Sequence, residues 1–300
     1  MKLSKEILTK LRAAYDENMN LTELLKLEGF KVNSLAIEVI YDLQAGSYTQ
    51  FAQENPEHSR QFVSEVANLI APHIASCSSL LDAGTGEGTS IIPLIKKLDL
   101  EMESYAFDIS WSRLSFAIAN SISHSTNISF AVGDMLNIPM ATSSIDMVLT
   151  IHALEPNGGR EVEILRELAR VSKKKVILIE PDFDNASNEQ KSRMQRLSYI
   201  GSLKDAISAA GLTIIDIIPL SNNVNPLNCA SVYILKPNSK KLSGKELTRW
   251  VDPIFHSGLA QYEGGLRNAE GLWFPVLRGI PFLRQEDAKL TLNPAASGQK

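Results

Sequence analysis

A doubly wound α/β sheet is the fold class this sequence predicts, and three observations predict it. From Ser78 onward, short apolar runs of strand length alternate with helical patterns, as they do where helices cover both faces of a mostly parallel sheet. A glycine run, Gly84, Gly86 and Gly88, falls between the first apolar run and the first helical pattern. The longest aliphatic stretches, Val176 to Ile179 and Ile214 to Leu220, are bounded or interrupted by Glu180, Asp216 and Pro219. They have the length of strands buried on both faces, far short of the roughly 20 apolar residues of a membrane span.

Taken in order, the opening third predicts a helical preface of three or four helices. Ala36, Val39, Ile40 and Leu43 share one helical face, closed by Gly46. Phe62, Val63, Val66, Leu69 and Ile70 repeat the pattern, and Pro72 is expected to help end that helix. Seven strands follow, over Ser79 to Ala83, Ser104 to Phe107, Ile128 to Val132, Ile145 to Ile151, Val176 to Glu180, Thr213 to Ile218 and Ala230 to Lys236. Ile164, Leu165, Leu168 and Val171 mark a helix before the fifth strand, and the basic run Lys173 to Lys175 is expected at its C-terminus. Between the last two strands Pro219, Ser221, Asn222, Asn223, Asn225 and Pro226 leave no room for a helix, so that pair should be antiparallel. After the polar stretch Pro237 to Lys245, the aromatic residues Trp250, Phe255, Tyr262, Trp273, Phe274 and Phe282 crowd into a short segment too small to be independently stable. It should dock on the main domain. The expected organisation is a preface and lid over 1–77, a cofactor-binding domain over 78–237 and a small β-rich appendage over 246–292.

Composition narrows the function. The 300 residues are 44% hydrophobic and 21% charged, as in soluble globular chains, with a formal net charge of -4. That balance does not fit a protein held mainly by nucleic-acid phosphates. Cys77 and Cys229 are the only cysteines, too few for a disulfide framework or a cysteine-rich zinc site. A reducing, cytoplasmic setting is expected, with no leader peptide and no membrane segment, because charges interrupt the first twenty residues.

The chemistry concentrates after the first strand. Asp82-Ala83-Gly84-Thr85-Gly86-Glu87-Gly88 lets the chain turn sharply and lets a ligand approach the backbone amides. Twenty residues past Gly88, Asp108 closes the second strand, where a carboxylate can accept both hydroxyls of a ribose. Gly133-Asp134-Met135 follows the third strand and would place a carboxylate and an apolar neighbour at an adenine. A strand-turn-helix corner without a ligand is the plain alternative for any one of these.

Together with Ser144-Ile145-Asp146-Met147-Val148 leading to His152-Ala153-Leu154-Glu155, these segments resemble class I S-adenosylmethionine-dependent methyltransferases, nearest to the ubiquinone/menaquinone-type small-molecule branch. The resemblance covers about Ser78 to Lys236. It implies strand order 3-2-1-4-5-7-6 with strand seven antiparallel, and S-adenosylmethionine as cofactor. It also implies cofactor contacts from Tyr48, Asp82, Gly84, Thr85, Gly86, Gly88, Asp108, Ile109, Gly133, Asp134, Met135 and Thr150. The appendage, from Asp252-Pro253-Ile254-Phe255 to Gly279-Ile280-Pro281-Phe282-Leu283, resembles the zinc-ribbon activator subunits of transfer-RNA and protein methyltransferases. Its cysteine positions fall on Asp252, Phe255, Arg267 and Glu270, so no metal is expected there, since zinc needs about four N or S ligands.

Methyl transfer from a sulfonium asks the protein mainly to position two partners and exclude water; whether a base is needed depends on the acceptor. His152 and Glu155, at the end of the fourth strand, are the catalytic candidates, with a pocket wall and a helix-end carboxylate as the plainer reading. Pro156 stands where the quinone branch carries His, and no Asn-Pro-Pro-Tyr follows strand four, which argues against adenine N6 or glutamine amide acceptors. Tyr48, beyond Gly46, is the expected lid residue, and Tyr41 is expected to pack at a helix end. Arg193 and Arg196 could bind an acidic substrate group. The expected activity is methyl transfer to a small or medium organic acceptor by a monomer or homodimer. An RNA or protein target, and a non-catalytic cofactor-binding protein, are the alternatives.

Overall fold

The computed structural model describes residues 4–17, 19–31, 33–196, 203–223, 229–238 and 250–291. Asn225, Pro226, the side chain of Arg196, and 239–249 and 292 of the expected linker and appendage lie outside the described residues.

Five helices precede the sheet, more than the three or four expected. Helices α1 (Lys5–Asp16), α2 (Leu21–Leu27) and α3 (Ser34–Leu43) are each started by a polar side chain that accepts backbone N–H groups: Ser4, Asn20 and Asn33. Their apolar faces meet in a small core of Ile7, Leu11, Leu21, Leu25, Val39 and Ile40. Helix α4 (Ser47–Glu54) follows Gly46, whose φ of 97° suits glycine. Helix α5 (Pro56–Ile74) buries Phe62, Val63, Val66, Ala67 and Ile70 on one face. Pro72 lies inside α5 rather than at its end. At that distance from the terminus the lost N–H bond disturbs only the last turn.

The seven-stranded sheet has the order β3-β2-β1-β4-β5-β7-β6. Its strands are β1 (Ser79–Ala83), β2 (Glu103–Asp108), β3 (Ile128–Val132), β4 (Ile145–Ile151), β5 (Ser172–Pro181), β6 (Leu212–Pro219) and β7 (Ala230–Pro237). The first five are parallel, and β7 runs antiparallel to both β5 and β6. Alternation within the strands builds two cores. Leu81, Phe107, Val148, Val176 and Leu178 face α8 (Glu161–Val171) and α10 (Leu203–Ala209). Leu80, Met147, Leu149, Ile177 and Ile179 face α5 and α6 (Ile91–Lys97). Helix α7 (Trp111–Ser123) packs on β2 and β3 through Leu114 and Ala117. Helix α9 (Asn188–Arg196) follows β5, and no helix among the described residues is long and apolar enough to cross a membrane.

One boundary differs from expectation. The basic run Lys173 to Lys175 is not a helix end, because α8 stops at Val171 and Ser172 is already extended. The run opens β5, where Lys174 reaches the carboxylate of Asp146 at 3.0 Å. Asp146 also accepts from the backbone N–H and hydroxyl of Ser78. These bonds outweigh burial and hold its carboxyl below the usual range.

The aromatic tail is a second sheet of short strands, β8 (Ala260–Tyr262), β9 (Gly265–Arg267), β10 (Leu272–Leu277), β11 (Ile280–Pro281) and β12 (Lys289–Leu290). Phe274 and Leu283 enter the main core, and the Leu283 N–H donates to the Val132 carbonyl at 2.8 Å. Trp250 meets Tyr105 edge-on and donates its indole N–H to Ser129. At the positions of the ribbon resemblance, buried Asp252 accepts from the N–H groups of Ile254, Phe255 and Ser257, and the Ser257 hydroxyl donates to Glu270 at 2.9 Å. Arg267 lies over the Tyr262 ring.

Arg284 joins the tail to the preface. It is 8% exposed, pairs with Asp287 at 2.8 Å and reaches Glu38 of α3 at 2.5 Å. Arg284→Ala should cost about 1.5 kcal/mol of stability, the weight of hydrogen bonds to charged groups that water partly replaces. Thermal denaturation of the variant checks this.

Candidate active site

A cavity of about 370 Å³ opens at the C-terminal ends of β1, β2 and β4, beneath α3, α4 and α5 of the preface. Crevices at this edge are where open α/β sheets bind ligands. Its floor is the glycine turn. The N–H groups of Gly84 and Thr85 both donate to the Phe107 carbonyl at 3.0 Å, which ties the turn to β2. Gly84 has φ 79°, and a Cβ there would stand 2.6 Å from the Cβ of Ala153. No larger residue fits without moving the chain after β4.

Asp108 completes that floor. One carboxylate oxygen accepts from Gly86 N–H at 2.8 Å and the other from Ser110 N–H at 2.9 Å. Burial raises its pKa, and the Ser110 N–H and the Arg113 charge pull it partly back. Asp82 is 2% exposed. Burial pushes its carboxyl up to about 7. The Thr85 hydroxyl beside it pulls that value partly back. Gly133 donates its N–H to the Asp108 carbonyl, Asp134 accepts from Leu136 N–H, and Met135 is 7% exposed.

The cavity brings together Tyr48, Asp82, Gly84, Thr85, Gly86, Asp108, Ile109, Gly133, Asp134, Met135, His152 and Glu155 from the sequence reading. Gly88 and Thr150 stand outside its lining. A Cβ on Gly88 would lie 2.7 Å from Ile92 Cδ1, so this glycine serves close packing of the turn against α6 and α7. Thr150 is fully buried in β4.

Two charged residues that the sequence reading did not single out shape the roof. The Arg113 guanidinium, on a residue only 4% exposed, lies 4.3 Å from the Tyr41 ring centre and 4.4 Å from that of Tyr48. Tyr41 is thus part of the site as well as a packing residue. Glu87 is 1% exposed and accepts from Gly46 N–H at 3.0 Å and Thr49 N–H at 2.7 Å. It anchors the N-terminus of α4 to the glycine turn, where a carboxylate is electrostatically favoured.

The other end of the cavity is ionisable. His152 follows β4 in a left-handed conformation, φ 53°, and its N–H donates to the Ile179 carbonyl. Its Nδ1 lies 2.6 Å from Glu155 Oε1, at the start of a 3-10 turn over Glu155–Asn157. Nε2 is buried and has no hydrogen-bond partner among the described residues. Burial disfavours the charged imidazole, but the bond to Glu155 and the charges of Glu155 and Glu180 outweigh it, so its pKa is raised. Glu180, at the end of β5, is a third member the sequence reading used only as a strand boundary. Its Oε1 accepts from Ala153 N–H at 3.0 Å and Leu154 N–H at 3.2 Å, and burial pushes its carboxyl up to about 7. Donor atoms of His152, Glu155 and Glu180 lie within 4.8 Å of one another, brought together by the pairing of β4 with β5. Ile37, Phe51, Phe62, Val63 and Pro156 supply the apolar wall, and Arg193 also borders the cavity.

A family model described as a methyltransferase domain matches residues 74–248. Ajmaline N-methyltransferase of Rauvolfia serpentina is 26% identical over 161 residues, covering 53% of this chain and 53% of that protein. Norajmaline N-methyltransferase of the same plant is 29% identical over 106 residues, covering 35% and 36%. The chain spans about half the length, or less, of these curated relatives. Among solved structures, geranyl diphosphate C-methyltransferase from Streptomyces coelicolor A3(2), in complex with Mg2+, geranyl diphosphate and S-adenosyl-L-homocysteine, aligns with a TM-score of 0.48 at 13% identity. That alignment covers 59% of this chain and 79% of the other.

Proposed function

Because the chain belongs to the methyltransferase-domain family, whose model matches more than half of it, we propose that it transfers a methyl group from S-adenosylmethionine to a small or medium organic acceptor. The observation that carries this reading is one cavity with two unlike ends. At one end stand the glycine turn, Asp82 and Asp108; at the other His152, paired with Glu155.

S-adenosylmethionine supplies a methyl group already attached to a good leaving group, so the protein's work is binding, orientation and exclusion of water. Asp108 holds the ribose with the carboxylate lone pairs that Gly86 and Ser110 leave free. Asp134 and Met135 frame the adenine, with Ile109 beside it. Gly84, Thr85 and Gly86 let the backbone approach, and Asp82 faces the cationic amino-acid end. Tyr48, stacked on Arg113, closes the roof. His152 accepts the proton that the acceptor loses, through Nε2, while Glu155 holds Nδ1 and stabilises the imidazolium that results. The apolar wall and the helical roof favour an organic molecule over a macromolecular chain, and two of the curated relatives are named ajmaline and norajmaline N-methyltransferase.

Binding should release protons. Asp82 has a raised pKa in the free protein, about 7, so near pH 7 about half of it is protonated. A cationic ligand group favours the ionised form and expels that proton. Release should be about half a proton at pH 7, grow as pH falls below it while the bound form stays ionised, and fade by about pH 9, where Asp82 is already ionised. Calorimetry in phosphate and in Tris, whose ionisation heats differ, reads the number directly.

The activity test uses methyl-labelled S-adenosylmethionine and cell extract split into small-molecule, RNA and protein fractions. Label entering the small-molecule fraction supports the proposal. Label confined to RNA or protein favours the macromolecular alternative, and binding without transfer to any fraction favours a non-catalytic cofactor-binding protein.

A further inference from the structure

We infer that Glu180 is a positioning residue of this reaction: from behind the cavity it fixes the turn that carries His152 and sets a second carboxylate against the imidazole. The inference rests on the reading of His152 as proton acceptor, and deepens it.

The placement follows from the sheet. Strands β4 and β5 pair with Ile151 opposite Ile179, so the next residues, His152 and Glu180, stand side by side, His152 just past the end of β4 and Glu180 still within β5, opposite Ser231 of β7. At that point β4 ends and the chain turns away through His152 at φ 53°. A left-handed conformation at a residue other than glycine is strained, and persists only where its surroundings enforce it. The turn also withdraws the N–H groups of Ala153 and Leu154 from the strand ladder in a region where Leu154 is fully buried. Left unpaired there, each would carry a desolvation penalty. Glu180 Oε1 takes both. It thereby holds the backbone that aims the imidazole.

The second contribution is electrostatic. Glu180 is 1% exposed, and the Thr150 hydroxyl beside its carboxyl works against the effect of burial. The charged groups acting on His152 are Glu155 from the 3-10 turn and Glu180 from β5, while α5 presents the uncharged Phe62 ring, 6.4 Å away. Two carboxylates against one imidazole favour the protonated ring, and His152 is the better proton acceptor for it. Glu180 does not line the cavity, so it acts through His152. A metal ion is the competing occupant of such a trio. Two observations favour the proton relay: the 2.6 Å contact of Nδ1 with Glu155 is a short hydrogen bond, and Glu180 Oε1 is already committed to two backbone amides.

The test compares the full chain with Glu180→Gln, which keeps the amide-accepting oxygen and removes the charge. Two quantities are read: the NMR titration of the His152 ring, and the acid limb of the kcat/KM profile. Both midpoints should move to lower pH in Glu180→Gln and return toward wild type in Glu180→Asp, with KM for the cofactor unchanged. Should Glu180→Gln not fold, 13C-carboxyl labelling of the wild-type glutamates replaces it, and Glu180 should titrate in two steps linked to His152. A histidine limb that is lost in His152→Ala but unmoved in Glu180→Gln overturns this inference alone. A wild-type profile with no histidine limb overturns the proton-acceptor reading and this inference with it. One equivalent of metal retained by the wild type and lost in Glu180→Gln overturns the relay in favour of a metal site.

Discussion

Replacing Asp108 with alanine should weaken S-adenosylmethionine binding by about 1.5 to 3 kcal/mol, roughly 10- to 150-fold, the weight of hydrogen bonds to a charged acceptor. Asp108 is nearly buried and accepts only one backbone N–H on each oxygen, so the remaining lone pairs face the cavity. Those two bonds also shape the Gly86 and Ser110 turns, and Asp108→Asn, which keeps one acceptor oxygen, should lose less. Burial holds the Asp108 carboxyl above its usual range. With the folded pKa above the unfolded one, the ionised group weakens the ligand-free fold as pH rises from about 4 toward neutral. Removing it should therefore show in binding far more than in melting. Calorimetry beside thermal denaturation separates the two; unchanged affinity would remove the ribose assignment.

The larger effect belongs to His152. His152→Ala should lower kcat/KM by about 10²- to 10⁴-fold, the range of general acid–base catalysis, with cofactor affinity near wild type. In the wild type the imidazole must be neutral to accept a proton, so activity should rise with pH. Because Glu155 and Glu180 raise the His152 pKa against the opposing effect of burial, the midpoint should lie above that of an ordinary histidine, about 6.5. In His152→Ala that limb should vanish. A normal rate with saturating acceptor would leave His152 as a pocket wall and no more.

What was legible in the sequence was whatever a local pattern carries. Strands buried on both faces declare themselves as unbroken apolar runs, which is why Ile128 to Val132 and Ile145 to Ile151 are strands within the bounds the runs predict. The glycine turn and Asp108 were legible because sharp turns and a strand-end acid leave local signatures. Residues whose meaning depends on distant partners were not. Glu87 reads as the variable position of a glycine motif until the fold brings Gly46 and Thr49 to its carboxylate. Arg113 looks like a helix-surface residue, and only the meeting of α3, α4 and α7 seats it between Tyr41 and Tyr48. Glu180 resembles the polar end of a strand until Ala153 and Leu154 turn their amides toward it. Lys173 to Lys175 suited a helix end by charge alone, while the partner that sets the strand, Asp146, lies in β4.

The most direct test of the account is the crystal structure of the complex with S-adenosylhomocysteine. The ribose hydroxyls should lie on Asp108, the adenine between Asp134 and Met135, the amino-acid end at Asp82, and the sulfur should be turned toward the His152 end of the cavity. Ligand density outside this cavity, or an adenine lodged against His152 and Glu155, would contradict it.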